Sequence, residues 1–530
     1  MVYAINSPRA IFNLFLLVLA GFFSISGCSG DNVLTSAPRV EEPSAEIKPA
    51  DERAPLSRLL EVSTPVETRV SIDISDGVNT SRVEFDELNT GHSHPVLGLR
   101  PGRVHAILVT AVDEAGETAL ESVFEVTTDP LPEDFPQLDV TSDPGLMEPG
   151  VTLFASGGFL IIVDDGGDVV WYYRITESAS LDRDVRRMPN GNLLLLLPLH
   201  GIVELDMLGN TVRRWHAARS SQGAAVSIPV DAAAFHHEVF AMESGNFLTL
   251  SLEAREYPDY PTSTTDPAAP LETSNVVGDV VVEFTPDGTV VNEWHLLDIL
   301  DPYRLNYSSL IGLWDQFFQS VFGVEGPTRD WSHGNAVIHD TRDDSLIISM
   351  RHQDAVIKID RQTGELVWIL GTHANWNQDL FGRFLLHPAT DDDLFFQYHQ
   401  HAPMIREEGN IILFDNGNFR ASPFEPVFSE NEFSRAAEYS IDESSMEVSL
   451  VWESTGFSAE PIFAGFLGDA DKLPETGNVL MTFGGRVPTV IAEVTHTTPP
   501  QKVFEISVPN ENGGQYIYRA ERLPGLYPEE

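Results

Sequence analysis

The sequence predicts an all-β protein: a six-bladed β-propeller over residues 131–530, preceded by a small β-sandwich over residues 56–130. Two repeats predict the propeller. One is a polar turn opening a continuous apolar strand: "MPNGNLLLLL" (188–197), "MESGNFLTLS" (242–251), "TRDDSLIISM" (341–350), "REEGNIILFD" (406–415) and "PETGNVLMTF" (474–483). The other is a later strand ending in tryptophan, at Trp171, Trp215, Trp294, Trp368 and Trp452; "VFEISVPNENGGQYIYR", with Tyr516, supplies the sixth unit. Hairpin units that recur along a chain stack radially and bury their faces against one another. Residues 56–130 show the third pattern, short alternating strands such as "RVSIDISD" and "SRVEFDEL" parted by Gly, Asn and Asp turns.

Taken in chain order, residues 1–27 read as an export leader. Arg9 precedes the apolar run Ile11–Phe23, which is too short to span a bilayer comfortably. "ISGC" resembles a bacterial lipoprotein cleavage box, so Cys28 is expected to become the lipidated first residue of an exported, periplasm-facing protein. Serine at the next position suggests sorting to the outer membrane. Cys28 is the only cysteine, so no intramolecular disulfide forms. Residues 28–55, rich in Pro and Glu, read as a flexible tether. "LGLRPGRVHAILVTAVDEAG" resembles a fibronectin type III module, placing the sandwich next. Unequal spacing between the tryptophans, from 44 to 84 residues, marks insertions at 253–278, 299–330 and 371–396. Those are expected on one face of the propeller, building a pocket there.

Net charge of −48, from 80 acidic against 32 basic residues, repels phosphate backbones, so nucleic acid is excluded as a partner. An anionic substrate would need its own basic pocket. The chain offers one. Aligned on their turns, the repeats put His237 of "FHHEVFAMESGN" level with His401 of "YHQHAPMIREEGN" and with Asn335 of "WSHGNAVIHDTRDDS". His333 and His399, two residues earlier, share that face if the period of 2 holds. Arg351 follows the strand that His333 begins. Imidazoles, an amide and a guanidinium from three units converge on one axis, where stability alone would ask for small apolar residues. No carboxylate is clearly inward, and His352, His373, His387 and His496 read as ordinary structural residues.

"DWSHGNAVIHDTRDDSLIISMRHQDAVIKIDRQTGELVWILG" (330–371), "QHAPMIREEGNIILFDNG" (400–417) and "HHE" (236–238) resemble the bacterial arylsulfate sulfotransferases. The resemblance runs from about Pro136 to the C-terminus. It implies a six-bladed propeller that passes a sulfuryl group from a phenolic sulfate ester to a phenol, without a nucleotide donor or other cofactor, and it implies a dimer. The implied nucleophile is His401, with Arg351 and His333 beside it and either His236 or His237 as second helper; Asn335 matches an asparagine of the motif, and His399 is the rival to His401. That family carries a disulfide near its pocket, which this chain cannot form. Arg351 could grip sulfate oxygens, neutral His401 could attack sulfur, and His333 or His237 could stabilise charge or exchange the phenol proton. Two other readings compete: a metal-dependent lyase or hydrolase using His237, His333, His399 and His401, and a non-catalytic lipid-anchored binding propeller.

Overall fold

The computed structural model describes residues 42–530, apart from 177–183, 198, 200, 222, 224–225, 391–394, 407, 429, 431, 510–514 and 529–530. The expected leader, Cys28 and the start of the tether lie outside the described residues. The later part of the tether does not match its expectation. Ser44–Pro49 is a strand paired with the start of Arg58–Ser75, and Ala54 and Leu56 are buried in the apolar packing of the propeller. Alternating Ala45 and Ile47 cover the small N-terminal core, which a polar tether would leave open to water.

That N-terminal region is one folded sheet. Arg58–Ser75 loses register with Thr80–Val96 between Ser63 and Thr68; beyond the break it also pairs with Val104–Asp113, which pairs in turn with Thr118–Thr127. Its two halves close on Leu60, Val62, Ile72, Ile107 and Val109. Contacts with the propeller include Arg100 with Asp164 at 2.6 Å and Ser57 Oγ donating to the Met207 carbonyl at 2.7 Å.

Among the described residues, six further sheets follow. The first blade comprises Val151–Ser156, Phe159–Val163 and Val169–Arg174; its innermost strand, Ala520–Leu523, comes from the C-terminal end. The second to fifth blades begin on the inner strands Asp184–Arg187, His236–Ala241, Gly334–Asp340 and His401–Ile405. The sixth runs from Asp469–Lys472 to Lys502–Val508 and takes Asp139–Ser142 as its outer edge, so the ring is sealed by strands from both ends of the propeller.

Packing shows why the ring closes. Each predicted tryptophan lies on the fourth strand of its blade and is buried. The sixth blade departs from the pattern: its fourth strand, Lys502–Val508, carries no tryptophan, and Tyr516 lies in the segment leading to Ala520–Leu523. Leu193–Leu197 is buried on both faces; the odd leucines pack with the first blade and Leu194 and Leu196 with the third. Six such clusters each join two neighbouring blades, the last uniting Phe154 and Ile161 with Leu480 and Ile506. A strand with one face towards each neighbour reads as an unbroken apolar run, the pattern that marked these strands in the sequence.

Candidate functional site on the propeller axis

Three inner strands share one irregularity at their first residues. Register is lost between His236 and Val239, between Gly334 and Ala336, and between His401 and Met404. Such bulges free residues from the ladder and re-aim their side chains. Backbone torsions confirm the departure: His237 (φ 59°), His333 (φ 45°), His399 (φ 54°) and Ala402 (φ 49°) are left-handed, a costly conformation for residues other than glycine. The period-2 argument for His333 and His399 therefore fails. Both precede their strands, and local turns rather than strand alternation direct their rings.

The turns bring His237 and His333 together, ring centroids 4.8 Å apart. His237 and His401 flank Tyr518, at 6.1 and 6.4 Å between centroids. Arg351 starts the short turn Arg351–Gln353 and holds the His333 carbonyl with its backbone N–H at 3.1 Å. Asn335 donates to the Gln400 carbonyl at 2.7 Å, tying the fourth blade to the fifth beside His401. His237, His333, His401, Arg351 and Asn335 thus form one group, of which the repeat alignment anticipates the level of His237, Asn335 and His401.

Hydrogen bonds settle which nitrogen each ring presents. Asn416 donates its amide to the carbonyls of Ala464 (2.7 Å) and Leu467 (2.8 Å), so its oxygen must face His401 Nδ1, 2.6 Å away. His401 therefore carries its proton on Nδ1, and Nε2 keeps the lone pair. His333 donates Nδ1–H to Asp330 at 2.7 Å. His236 Nε2 lies 3.3 Å from both the Ser251 carbonyl and an Asp279 oxygen, so it holds a proton. Its Nδ1 then accepts from His237 Nδ1 at 2.8 Å, leaving His237 with a basic Nε2.

His236 and His399 are set apart from this group. His236 is spent on orienting His237 and packs beside Trp314, with centroids 5.3 Å apart. His399 Nε2 meets Ser308 Oγ at 2.8 Å and Nδ1 lies 2.9 Å from Asp354, so neither nitrogen is open to a substrate. Ser308 and Trp314 belong to the 299–330 insertion, which packs against these two histidines.

Burial dominates the electrostatics. It pushes His401 well below the usual imidazole range, helped by the Arg351 charge. Burial and then the charge of His333 do the same to His237, and burial takes His236 down to about 3. Arg351 falls to about 10 through burial and remains a cation at neutral pH. Carboxylates do line the axis, contrary to the sequence reading: Asp184, Glu238, Asp469, Asp471 and Glu521 surround Arg186 and Arg519. Sequence reasoning also missed Asp330, Asn416, Tyr518 and His352. Asp330, Asn416 and His352 lie inside the stretches that carry the family resemblance, whereas Tyr518 lies outside them.

Among the described residues, Asp330, His333 and His352 are the set whose donor atoms lie within 4.8 Å of one another. His352 donates Nδ1–H to the Asp330 carbonyl at 2.7 Å and accepts from Arg351 Nη1 at 2.8 Å on Nε2. Both its nitrogens are occupied while those contacts hold, and the guanidinium beside them repels a cation.

These features define a class: six-bladed propellers whose axis carries hydrogen-bond-oriented histidines beside a buried guanidinium. The chain belongs to the arylsulfotransferase family, whose model matches residues 138–519. It is 28% identical over 430 residues to the arylsulfate sulfotransferase AssT of Escherichia coli O6:H1, covering 70% of this chain and 66% of that protein. It is 29% identical over 290 residues to AssT of Lelliottia amnigena, covering 46% and 47%. The chain thus matches less than two thirds of the length of these curated relatives. Among solved structures, a Synechocystis apocarotenoid oxygenase mutant matches with a TM-score of 0.32 and 10% identity over 72% of this chain and 82% of that one. AztD of Citrobacter koseri matches with a TM-score of 0.30 and 11% identity over 86% and 99%. At those scores neither likeness speaks to function.

Proposed function

We propose that the protein is an aryl-sulfate sulfotransferase, moving a sulfuryl group from a phenolic sulfate ester to a phenol through a sulfated His401, without a nucleotide donor. The observation that carries this reading is the Asn416–His401 bond, which leaves a neutral imidazole with its lone pair on Nε2 beside Arg351. Family membership supports the substrate class.

In the first half-reaction His401 Nε2 forms an N–S bond as the S–O bond to the aryl group breaks, and the aryl oxygen leaves with the electron pair. Arg351 binds the sulfuryl oxygens by charge-assisted hydrogen bonds. Splitting one transfer into two is the gain of a covalent intermediate, and charge stabilisation carries most of a loose sulfuryl transfer. In the second half-reaction a phenol gives its proton to His237 or His333, its oxygen attacks sulfur, and the S–N bond breaks. His237, with its lone pair on Nε2, can accept the phenol proton; His333, oriented by Asp330, suits proton exchange with the leaving oxygen. We also propose that the protein works outside the cytoplasm, anchored to the outer membrane through lipidated Cys28, and that it pairs as a homodimer.

The test uses 4-nitrophenyl sulfate with and without a phenol acceptor. Release of 4-nitrophenol that depends on the acceptor, with the acceptor recovered as its sulfate ester, is the expected result. Acceptor-independent release of inorganic sulfate would make the protein a hydrolase, and no release from any phenolic sulfate would overturn the reading.

A further inference from the structure

Arg351 has five N–H groups in a fixed plane. Two are engaged by protein acceptors: Nη1 donates to His352 Nε2 at 2.8 Å and Nη2 to the Gly465 carbonyl at 2.9 Å. The remaining three, on Nε and one on each Nη, are left for an anion; Nε is buried with no partner among the described residues. Which way they point depends on the two engaged positions. Gly465 is a loop carbonyl between the fifth and sixth blades, whereas His352 is fully buried and held on three sides. Its Nδ1–H is tied to the Asp330 carbonyl at 2.7 Å, its ring lies 4.3 Å from that of His333 at 18°, and its backbone N–H bonds the Ser332 carbonyl at 3.1 Å.

We propose that His352 is a positioning residue for sulfate recognition: its Nε2 lone pair, fixed by the Asp330 carbonyl, sets the guanidinium plane of Arg351. This rests on the sulfotransfer reading and adds a residue that it does not use. Asp330 then organises both walls of the sulfate site, His333 through its carboxylate and Arg351 through its carbonyl and His352. The turn itself is secured elsewhere, because Gln353 donates to the Trp331 carbonyl at 2.7 Å and its own carbonyl accepts from Arg304 at 2.6 Å. Loss of the His352 ring can therefore free Arg351 without releasing the turn.

The experiment compares His352→Leu, which removes both contacts, with His352→Gln, whose amide oxygen can accept from Arg351 while its amide nitrogen donates to Asp330. Binding of 4-nitrophenyl sulfate is measured in a His401→Ala background, and donor kcat/KM in the otherwise wild-type chain. The expected result is about tenfold weaker binding and about tenfold lower kcat/KM for Leu, as for loss of a hydrogen bond to a charged group, with most of both recovered by Gln. In an Arg351→Lys background, His352→Leu should change little further, since both act through one guanidinium. Should the Leu variant not fold, His352→Asn, too short to bridge both partners, carries the same expectation. Wild-type transfer with donor binding unaltered by Leu or Asn would overturn this proposal alone. Equal losses in the Leu and Gln variants, additive with Arg351→Lys, would do the same by marking a merely structural role. Absence of transfer by the wild-type protein would overturn the sulfotransfer reading and this proposal with it.

Discussion

The faces between blades and the axis where the inner strands begin are built on opposite principles. Between blades, strands such as Leu193–Leu197 keep a strict alternation, and odd and even side chains serve two different apolar clusters. At the axis the ladder breaks in three blades at the same level, the backbone turns left-handed, and buried imidazoles and carboxyls replace leucine. Regular strands bury apolar surface cheaply, while strained bulges aim chemical groups that regular strands would turn into a neighbour. Stability resides in the faces, and reactivity in the departures from them.

The largest way to break this division is at the axis. Arg351→Lys keeps the charge but loses the planar fork, and steady-state assays should find kcat/KM lower by roughly 10²–10³-fold with the melting temperature nearly unchanged. Near-normal turnover would place Arg351 among structural residues. The reverse change belongs to the faces. Leu195→Ala should lower unfolding free energy by about 2–5 kcal/mol in denaturant titrations, while kcat per folded molecule stays within a factor of two or so.

A finer contrast lies in how the buried groups of the axis titrate. His236, depressed to about 3 by burial, adds stability that is present above its usual value of 6.5 and lost as pH falls. Glu521 has the opposite sign: burial raises it from 4.5 to about 7, so its contribution is present below 4.5 and lost as pH rises through 7. Between pH 4.5 and 6.5 the two oppose each other. Glu521→Gln removes one falling contribution, so stability should rise more steeply with pH over that window than in the wild type. Parallel curves for the two proteins would show that Glu521 titrates as an ordinary carboxylate.

What could be read from the sequence follows the same division. Turn-and-strand repeats and the five tryptophans disclosed the blades because blade packing imposes a period. His237, Asn335 and His401 could be found by aligning turns, since the bulges recur at one level, and Arg351 by following the strand that His333 leads into. His399 could not be told from His401, nor His236 from His237, because left-handed residues at the start of a strand obey no alternation. Asp330 and Asn416 hold their histidines from an inserted segment and a loop, where no repeat announces them. The N-terminal strand Ser44–Pro49 hid within a Pro- and Glu-rich stretch, its pairing supplied by a partner strand rather than by its own pattern.

In the proposed reaction His401 Nε2 carries the sulfuryl group. The direct measurement is peptide mass after brief exposure to 4-nitrophenyl sulfate without acceptor, on the wild-type chain and on His401→Ala, Asn416→Leu and His399→Phe. The expected result is an acid-labile sulfuryl adduct on the His401 peptide of the wild type, none in His401→Ala, slower formation in Asn416→Leu, where Nδ1 loses its acceptor, and retention of the adduct in His399→Phe. An adduct on His399, or turnover through a ternary complex with no adduct on any histidine, would contradict it.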